Sequence, residues 1–72
     1  MKKFNREKNE VRYTVEVPYD THGHNIVVYW DGLLQAWDWC VVDSSDYIVR
    51  PASLQEYGSP SPCLRDALVE LC

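Results

Sequence analysis

Glycine is scarce in this 72-residue sequence, and so are long apolar runs and paired cysteines. Three glycines leave little room for a phosphate-binding loop, and neither a P-loop nor a Gly-x-Ser-x-Gly motif occurs. No window approaches the ~18 apolar residues that a membrane-spanning helix needs. The three cysteines lack Cys-x-x-Cys spacing, and no apolar stretch follows the basic residues 1–6 as it would in a signal peptide. We therefore expect a cytoplasmic protein with free thiols.

Basic residues are also scarce beyond residue 12. Five of the seven Lys and Arg residues precede that point, and afterwards Arg50 and Arg65 face nine Asp and Glu, a formal charge of −7. An acidic body repels phosphate backbones, so we expect no direct binding of nucleic acid. Residues 1–10 are basic and polar and show no periodicity. They are predicted to form a flexible arm.

Aromatic residues, by contrast, are abundant, with three Trp, five Tyr and one Phe. Each ring can bury roughly 150–250 Å². That matters in a chain so short that folding hides only about 60% of its surface. Dense aromatic packing is therefore the expected source of stability, because the sequence indicates no disulfide and no cofactor.

The middle of the chain shows the alternation of β-strands. Residues 11–17 alternate strictly, which places Val11 and Tyr13 on the same face of a half-buried strand that ends at Pro18. Residues 25–30 are apolar on both faces, which is typical of an interior strand. Asp31-Gly32 predicts a hairpin turn into a third strand over residues 34–42. Residues 47–50 are a candidate fourth strand.

The end of the chain shows the spacing of a helix. Ser61 is the predicted N-cap and Pro62 the predicted first helical residue, where a missing N–H costs nothing. Apolar residues then recur every three or four positions, at Leu64, Ala67, Leu68 and Leu71. The prediction is an α+β fold, a three- to four-stranded antiparallel β-meander with one C-terminal helix packed on one face. Residues 11–72 form a single β-β-β-(β)-α domain.

Two groups of residues suggest chemistry, and both have simpler explanations. His22 and His24, with Asp20 beside them, could bind a metal if Cys40, Cys63 or Cys72 completed the site, but the spacing matches no familiar zinc pattern. Cys63 is predicted in the first helical turn, where the helix dipole can lower a thiol pKa, yet nothing places a histidine next to it. We therefore predict no catalytic residue, no metal ligand and no enzymatic activity.

The tryptophan-rich third strand is the most informative feature. Under a simple register, both faces of the sheet are partly apolar, and one helix cannot cover both. An uncovered apolar patch with acidic residues around it is typical of a protein-binding surface. The predicted partner-binding residues are Tyr29, Asp31, Trp37, Asp38, Trp39, Asp43 and Asp46.

The expected function is that of a small non-enzymatic protein-binding module that blocks a basic surface of a target protein. Small acidic proteins without catalytic motifs are common among phage and mobile-element accessory genes, including anti-CRISPR inhibitors. The chain is similar to these in type, and no motif identifies a family. Two alternatives stay open: a homodimer with a structural or regulatory role, and a metal-binding module that uses the His22/His24 loop. No membrane partner is expected.

Overall fold

The computed structural model describes residues 2–71, which form one antiparallel sheet and a C-terminal helix. The strands are β1 (Glu10–Glu16), β2 (Asn25–Asp31), β3 (Ala36–Val42) and β4 (Ile48–Arg50), and the helix α1 is Pro60–Leu71. The four strands lie side by side in chain order. The predicted α+β meander with one C-terminal helix is confirmed.

The register of the central hairpin divides the sheet into two apolar faces. Trp30 pairs with Trp37, and Val28 pairs with Trp39. Because successive side chains of a strand point to opposite faces, these four lie together on the face that packs against α1, which we call the helix face. The opposite face, called the second face, includes Val27, Tyr29, Cys40 and Val42, and all four are buried.

The helix covers the helix face through its narrow apolar stripe. Cys63 and Ala67 are fully buried, and they join Ile26, Val28 and Trp39 in one core cluster. Leu64, Leu68 and Leu71 are partly buried around this cluster. A helix of this length is marginal in isolation, so docking on the sheet supplies its stability.

Strand β1 contains a bulge that the sequence does not reveal. The pairing with β2 shifts between Val11 and Tyr13, so Arg12 is an extra residue in the strand. Val11 consequently packs against the second-face core, whereas Tyr13 packs against the helix-face core. The prediction that Val11 and Tyr13 share a face is wrong, because one extra residue inverts the alternation.

The segment before β1 closes the second face. Residues 2–4 run antiparallel to residues 46–48, with the Ile48 N–H donating to the Lys2 carbonyl and the Phe4 N–H donating to the Asp46 carbonyl, both at 2.8 Å. The Phe4 side chain is only 6% exposed and packs with Val27, Tyr29, Cys40 and Val42. The structure thus places one buried residue, Phe4, and two backbone hydrogen bonds to residues 46–48 where the sequence suggests a flexible arm. Phe4 thus covers the apolar side chains of the second face.

The helix begins two residues earlier than predicted, at Pro60 instead of Pro62. The chain reads Ser59-Pro60-Ser61-Pro62, so the same start signal occurs twice in succession. Pro62 is accommodated within the first turn because the N–H groups there have no intrahelical acceptor.

Candidate functional site

Three of the predicted partner-binding residues lie inside the fold. Tyr29 is 7% exposed, Trp39 4% and Asp38 1%. Tyr29 and Asp38 are cross-strand partners in the β2–β3 pair. Burial raises the pKa of Tyr29, and the neighbouring carboxylate of Asp38 raises it further. In this conformation the three side chains support the fold.

Asp38 is a buried carboxylate that organises the chain after β4. Its Oδ1 accepts hydrogen bonds from the Trp39 N–H at 2.7 Å and the Ser53 hydroxyl at 2.6 Å, and its Oδ2 accepts one from the Leu54 N–H at 3.0 Å. These bonds compensate for the burial of the charge. They also hold Leu54 at a φ of 61°, in the left-handed region where leucine is disfavoured.

Trp37 is half-buried on the helix face. Its ring packs edge-to-face on Trp30, with ring centroids 5.6 Å apart. The Trp37 backbone exchanges two hydrogen bonds with Tyr57, which extends the pairing of β3 beyond the short β4. Trp37 therefore has a structural role, although its side chain is only partly buried.

The predicted carboxylates between β3 and β4 have different roles. Asp43 Oδ1 accepts from the backbone N–H groups of Ser45 and Tyr47 at 2.8 and 3.0 Å. Asp46, in the same turn, accepts two hydrogen bonds from the Arg6 guanidinium at 2.7 and 3.0 Å. Hydrogen bonding to Arg6 lowers the pKa of Asp46 below its usual value. The structure brings Asp43 and Asp46 together, but it does not join them to Trp37 in one patch.

The histidine loop has an internal side-chain contact of its own. His24 Nδ1 lies 3.0 Å from Asp20 Oδ2, and the His22 and His24 rings stack with centroids 5.7 Å apart. Among residues 2–71, no group of three His, Cys, Asp or Glu side chains is arranged to hold a metal ion. Cys72, which the sequence suggests as a further ligand, lies outside the described residues.

The two described cysteines, Cys40 and Cys63, are buried, and the pKa values of their thiols are raised. Burial raises the pKa of the Cys63 thiol to about 12, and the charges of Asp38 and Asp66 add to the effect. Burial likewise raises the pKa of Cys40 to about 12. A nucleophilic cysteine needs the opposite shift. A helix dipole can lower a thiol pKa at the position of Cys63, but burial there acts in the opposite direction and raises it.

One concave surface was not predicted from the sequence. It is an open groove of about 860 Å³ between the N-terminal segment, the β2–β3 turn and the chain after β4. Its surface is mainly apolar, and Lys2, Lys3 and Lys8 stand along it, so we call it the lysine-rimmed groove. The other lining residues are Phe4, Asn5, Asn9, Tyr29, Asp31, Gly32, Leu33, Ile48, Pro51 and Ala52.

A hydrogen-bonded turn holds Leu33 at the edge of the groove. Asp31 Oδ1 accepts from the N–H groups of Leu33 and Leu34 at 3.0 and 3.3 Å. The Gln35 side chain donates to the Gly32 carbonyl at 2.9 Å, and Gln35 itself takes a φ of 54°. The turn thus has four residues, in place of the tight Asp-Gly turn expected from the sequence. It leaves the Leu33 side chain 94% exposed.

Two signals in the sequence point to the groove. Phe4 is the only apolar residue among residues 2–10, which marks it as an anchor within a polar segment. Leu33 and Leu34 are adjacent and directly follow a turn signal, where polar residues are usual. Neither signal shows that the two segments meet, because the contact between them depends on how the N-terminal segment crosses the sheet.

The fold defines a class, a small α+β domain with a four-stranded antiparallel sheet and one helix. No protein-family model, curated protein or solved structure matches the chain. Within residues 2–71, no helix combines the length and the apolar character needed to cross a membrane. The functional conclusion therefore depends on the geometry of the surface.

Proposed function

We propose that this protein is a small non-enzymatic protein-binding module whose contact surface is the lysine-rimmed groove and the exposed Leu33 at its edge. The observation that supports the proposal is the turn around Leu33. Three hydrogen bonds define its shape, two accepted by Asp31 and one donated by Gln35, and the turn holds a leucine side chain almost fully in water. An exposed apolar side chain on a hydrogen-bonded turn, beside a concave apolar surface, is a typical binding anchor.

The groove has the properties of a recognition site. Its volume is within the usual range of about 300–1,000 Å³ for binding pockets. Phe4, Ile48 and Pro51 contribute to its apolar lining, and the lysines and asparagines of the N-terminal segment provide polar groups. The sheet itself offers less, because both of its faces are covered. The proposed contact surface is therefore the lysine-rimmed groove and not the tryptophan-rich strand β3.

A stoichiometric inhibitor, of the kind carried by phages and mobile elements, is the form of this function that the small size of the chain favours. Such a protein acts by occupying a surface of its target, so it needs a rigid fold and a good contact patch. It does not need a catalytic group.

Affinity capture from the source cell tests the proposal when it is combined with matched surface variants. Leu33→Asp removes the apolar anchor, and burial of a leucine is worth about 1.5–3 kcal/mol. We expect at least about tenfold weaker binding to the captured partner, measured by calorimetry with purified proteins. Val69→Asp is the control, because Val69 is 73% exposed on α1, which does not line the groove.

Both variants should melt within a few degrees of the parent protein, since neither side chain is buried. Equal loss of binding in the two variants would indicate a general charge effect. Unchanged binding in Leu33→Asp would contradict the proposal.

A further inference from the structure

We propose that the lysine-rimmed groove binds a short acidic segment of a partner protein that also carries an apolar side chain. This inference rests on the proposed function and adds the chemistry of the partner. It depends on two properties of the groove, the charge of its rim and the composition of its lining.

The rim carries three lysines that form no contact-distance ion pair within the described part of the chain, although the charge of Lys3 adds to that of Arg6 in lowering the pKa of Asp46. Among residues 2–71, no carboxylate forms a salt bridge with Lys2, Lys3 or Lys8. Lys3 Nζ instead lies 5.8 Å from the centre of the Tyr47 ring, a cation–π contact that leaves the ammonium group available to an anion. The neighbouring Arg6 behaves differently, since Asp46 already binds its guanidinium.

The groove remains cationic in a protein that is otherwise acidic. Asp31 is the only acidic residue in its lining, and its Oδ1 already accepts two backbone hydrogen bonds. The groove lining therefore contains three lysines and one carboxylate, although the whole chain has a formal charge of −4. A ligand with carboxylates is therefore complementary to the groove.

The apolar lining requires more of the ligand than charge. Ile48, Pro51 and Ala52 lie in the groove, and Leu33 projects at its edge with 94% of its surface exposed. These side chains gain from contact with a leucine or similar residue of the partner, because burial removes apolar surface from water. A purely ionic ligand would leave them exposed. An acidic segment with at least one apolar residue uses both properties.

A nucleic acid fits this surface less well than an acidic peptide. Single strands bind through exposed aromatic rings that stack on the bases. The aromatic rings in the groove are Phe4 and Tyr29, which are 6% and 7% exposed and so present almost no face. A long polyanion also approaches the acidic body of the chain, whereas a short peptide stays within the basic rim.

The test is a titration of the full chain with dye-labelled capped peptides, followed by fluorescence anisotropy. One peptide alternates Glu and Leu, the second alternates Gln and Leu, and the third alternates Glu and Ser. We expect binding of the first below about 1 mM, and at least about tenfold weaker binding of the other two. Amide shifts in ¹H–¹⁵N spectra should localise the contact to residues 2–9, 31–35 and 48–52.

Charge reversal on the rim tests the lysines directly. Lys2→Glu and Lys8→Glu should each weaken binding of the Glu/Leu peptide by about three- to tenfold, since each replaces an attraction with a repulsion. Arg65→Glu makes the same charge change on α1, where the side chain is 74% exposed, and should leave the affinity unchanged. Higher salt should weaken binding of the Glu/Leu peptide to the parent protein and reduce the difference in affinity between the parent and the variants.

The outcomes separate this inference from the proposed function. If no peptide binds up to about 1 mM while Leu33→Asp still abolishes partner capture, the acidic occupant is wrong and the binding module stands. Tighter binding of an oligo-dT of equal charge overturns the inference in favour of a nucleic acid. Equal effects of Lys8→Glu and Arg65→Glu also overturn it, because they show that only net charge matters.

Discussion

The Phe4 ring lies edge-to-face on the Tyr29 ring, with centroids 5.0 Å apart and an angle of 64° between the ring planes. This contact joins the start of the chain to the centre of the sheet. It covers the apolar face that the helix does not reach, so one small domain contains two core clusters on opposite faces of one sheet. The lysines of the rim are held in place because the segment that carries them is anchored by Phe4.

Replacement of Phe4 by alanine should destabilise the protein strongly. A buried phenylalanine truncated to alanine costs about 3–5 kcal/mol, through lost burial and the cavity that remains. Chemical denaturation followed by tryptophan fluorescence measures the change. Phe4→Leu keeps most of the apolar volume and should cost less than about 1.5 kcal/mol.

A Phe4→Ala variant within about 0.5 kcal/mol of the parent would show that the N-terminal segment does not pack on the second face in solution. The lysine-rimmed groove would then lose one of its walls.

Loss of the Asp38 carboxylate should loosen the chain after β4. In Asp38→Asn, an amide N–H group takes the place of one carboxylate oxygen, so a donor faces the Leu54 N–H or the Ser53 hydroxyl. A buried donor without an acceptor costs about 1–3 kcal/mol. Amide hydrogen exchange should report faster exchange at Leu54, where the backbone depends on this bond at 3.0 Å.

Ser53→Ala is the matched control for Asp38. It removes one of the three donors to the carboxylate and leaves the Leu54 N–H bond in place. We expect a smaller loss, about 1 kcal/mol, and little change in exchange at Leu54. Equal effects of the two variants would show that the carboxylate acts only through Ser53.

The strands and helix could be predicted because their signals are local. Alternation identifies β1, and the continuous apolar run of β2 indicates a strand buried on both faces, as the register confirms. The bulge at Arg12 could not be predicted, since Val11 and Tyr13 satisfy the alternation equally well without it. The packing of Phe4 could not be predicted either, because it joins residues far apart in the chain.

The site was harder to predict than the fold for a related reason. Asp and Trp are typical of binding surfaces, so residue type alone favours Asp38 and Trp39. Both are buried in the structure, at 1% and 4% exposure. Burial follows from which segments cover the sheet, and that is a property of the whole fold. Leu33 is the opposite case, because it is an apolar residue that the structure leaves exposed to solvent.

The ion pair between Arg6 and Asp46 should make stability depend on acid pH. Arg6 lowers the pKa of Asp46 in the folded protein, so the carboxylate binds its proton less readily there than in the unfolded chain. The stabilisation is complete above the unfolded pKa, about 3.9, and is lost as the pH falls through the folded pKa. Asp46→Asn should therefore lose stability less steeply below about pH 4 than the parent.

A double-mutant cycle is the control for this ion pair. Arg6→Gln alone should make the loss of stability at acid pH less steep, as Asp46→Asn does. The double variant should add little to the effect of either single variant. Because the side chains are 37% and 28% exposed, the coupling energy should not exceed about 1 kcal/mol and should fall at high salt. Additive losses in the double variant would show that the two side chains act independently.

The buried thiols should be unreactive in the native protein. The pKa values of Cys40 and Cys63 are raised to about 12, so the thiolate that reacts with iodoacetamide is almost absent at pH 8. In a Cys72→Ser background, alkylation should be roughly a thousandfold slower than in denaturant, as mass spectrometry can measure. The raised pKa values also predict a loss of stability as the pH rises from about 8.5 toward 12, because the unfolded chain deprotonates first. Replacement of both cysteines by alanine should make that alkaline loss shallower. Rapid alkylation of Cys63 in the folded protein would contradict its burial between α1 and the sheet.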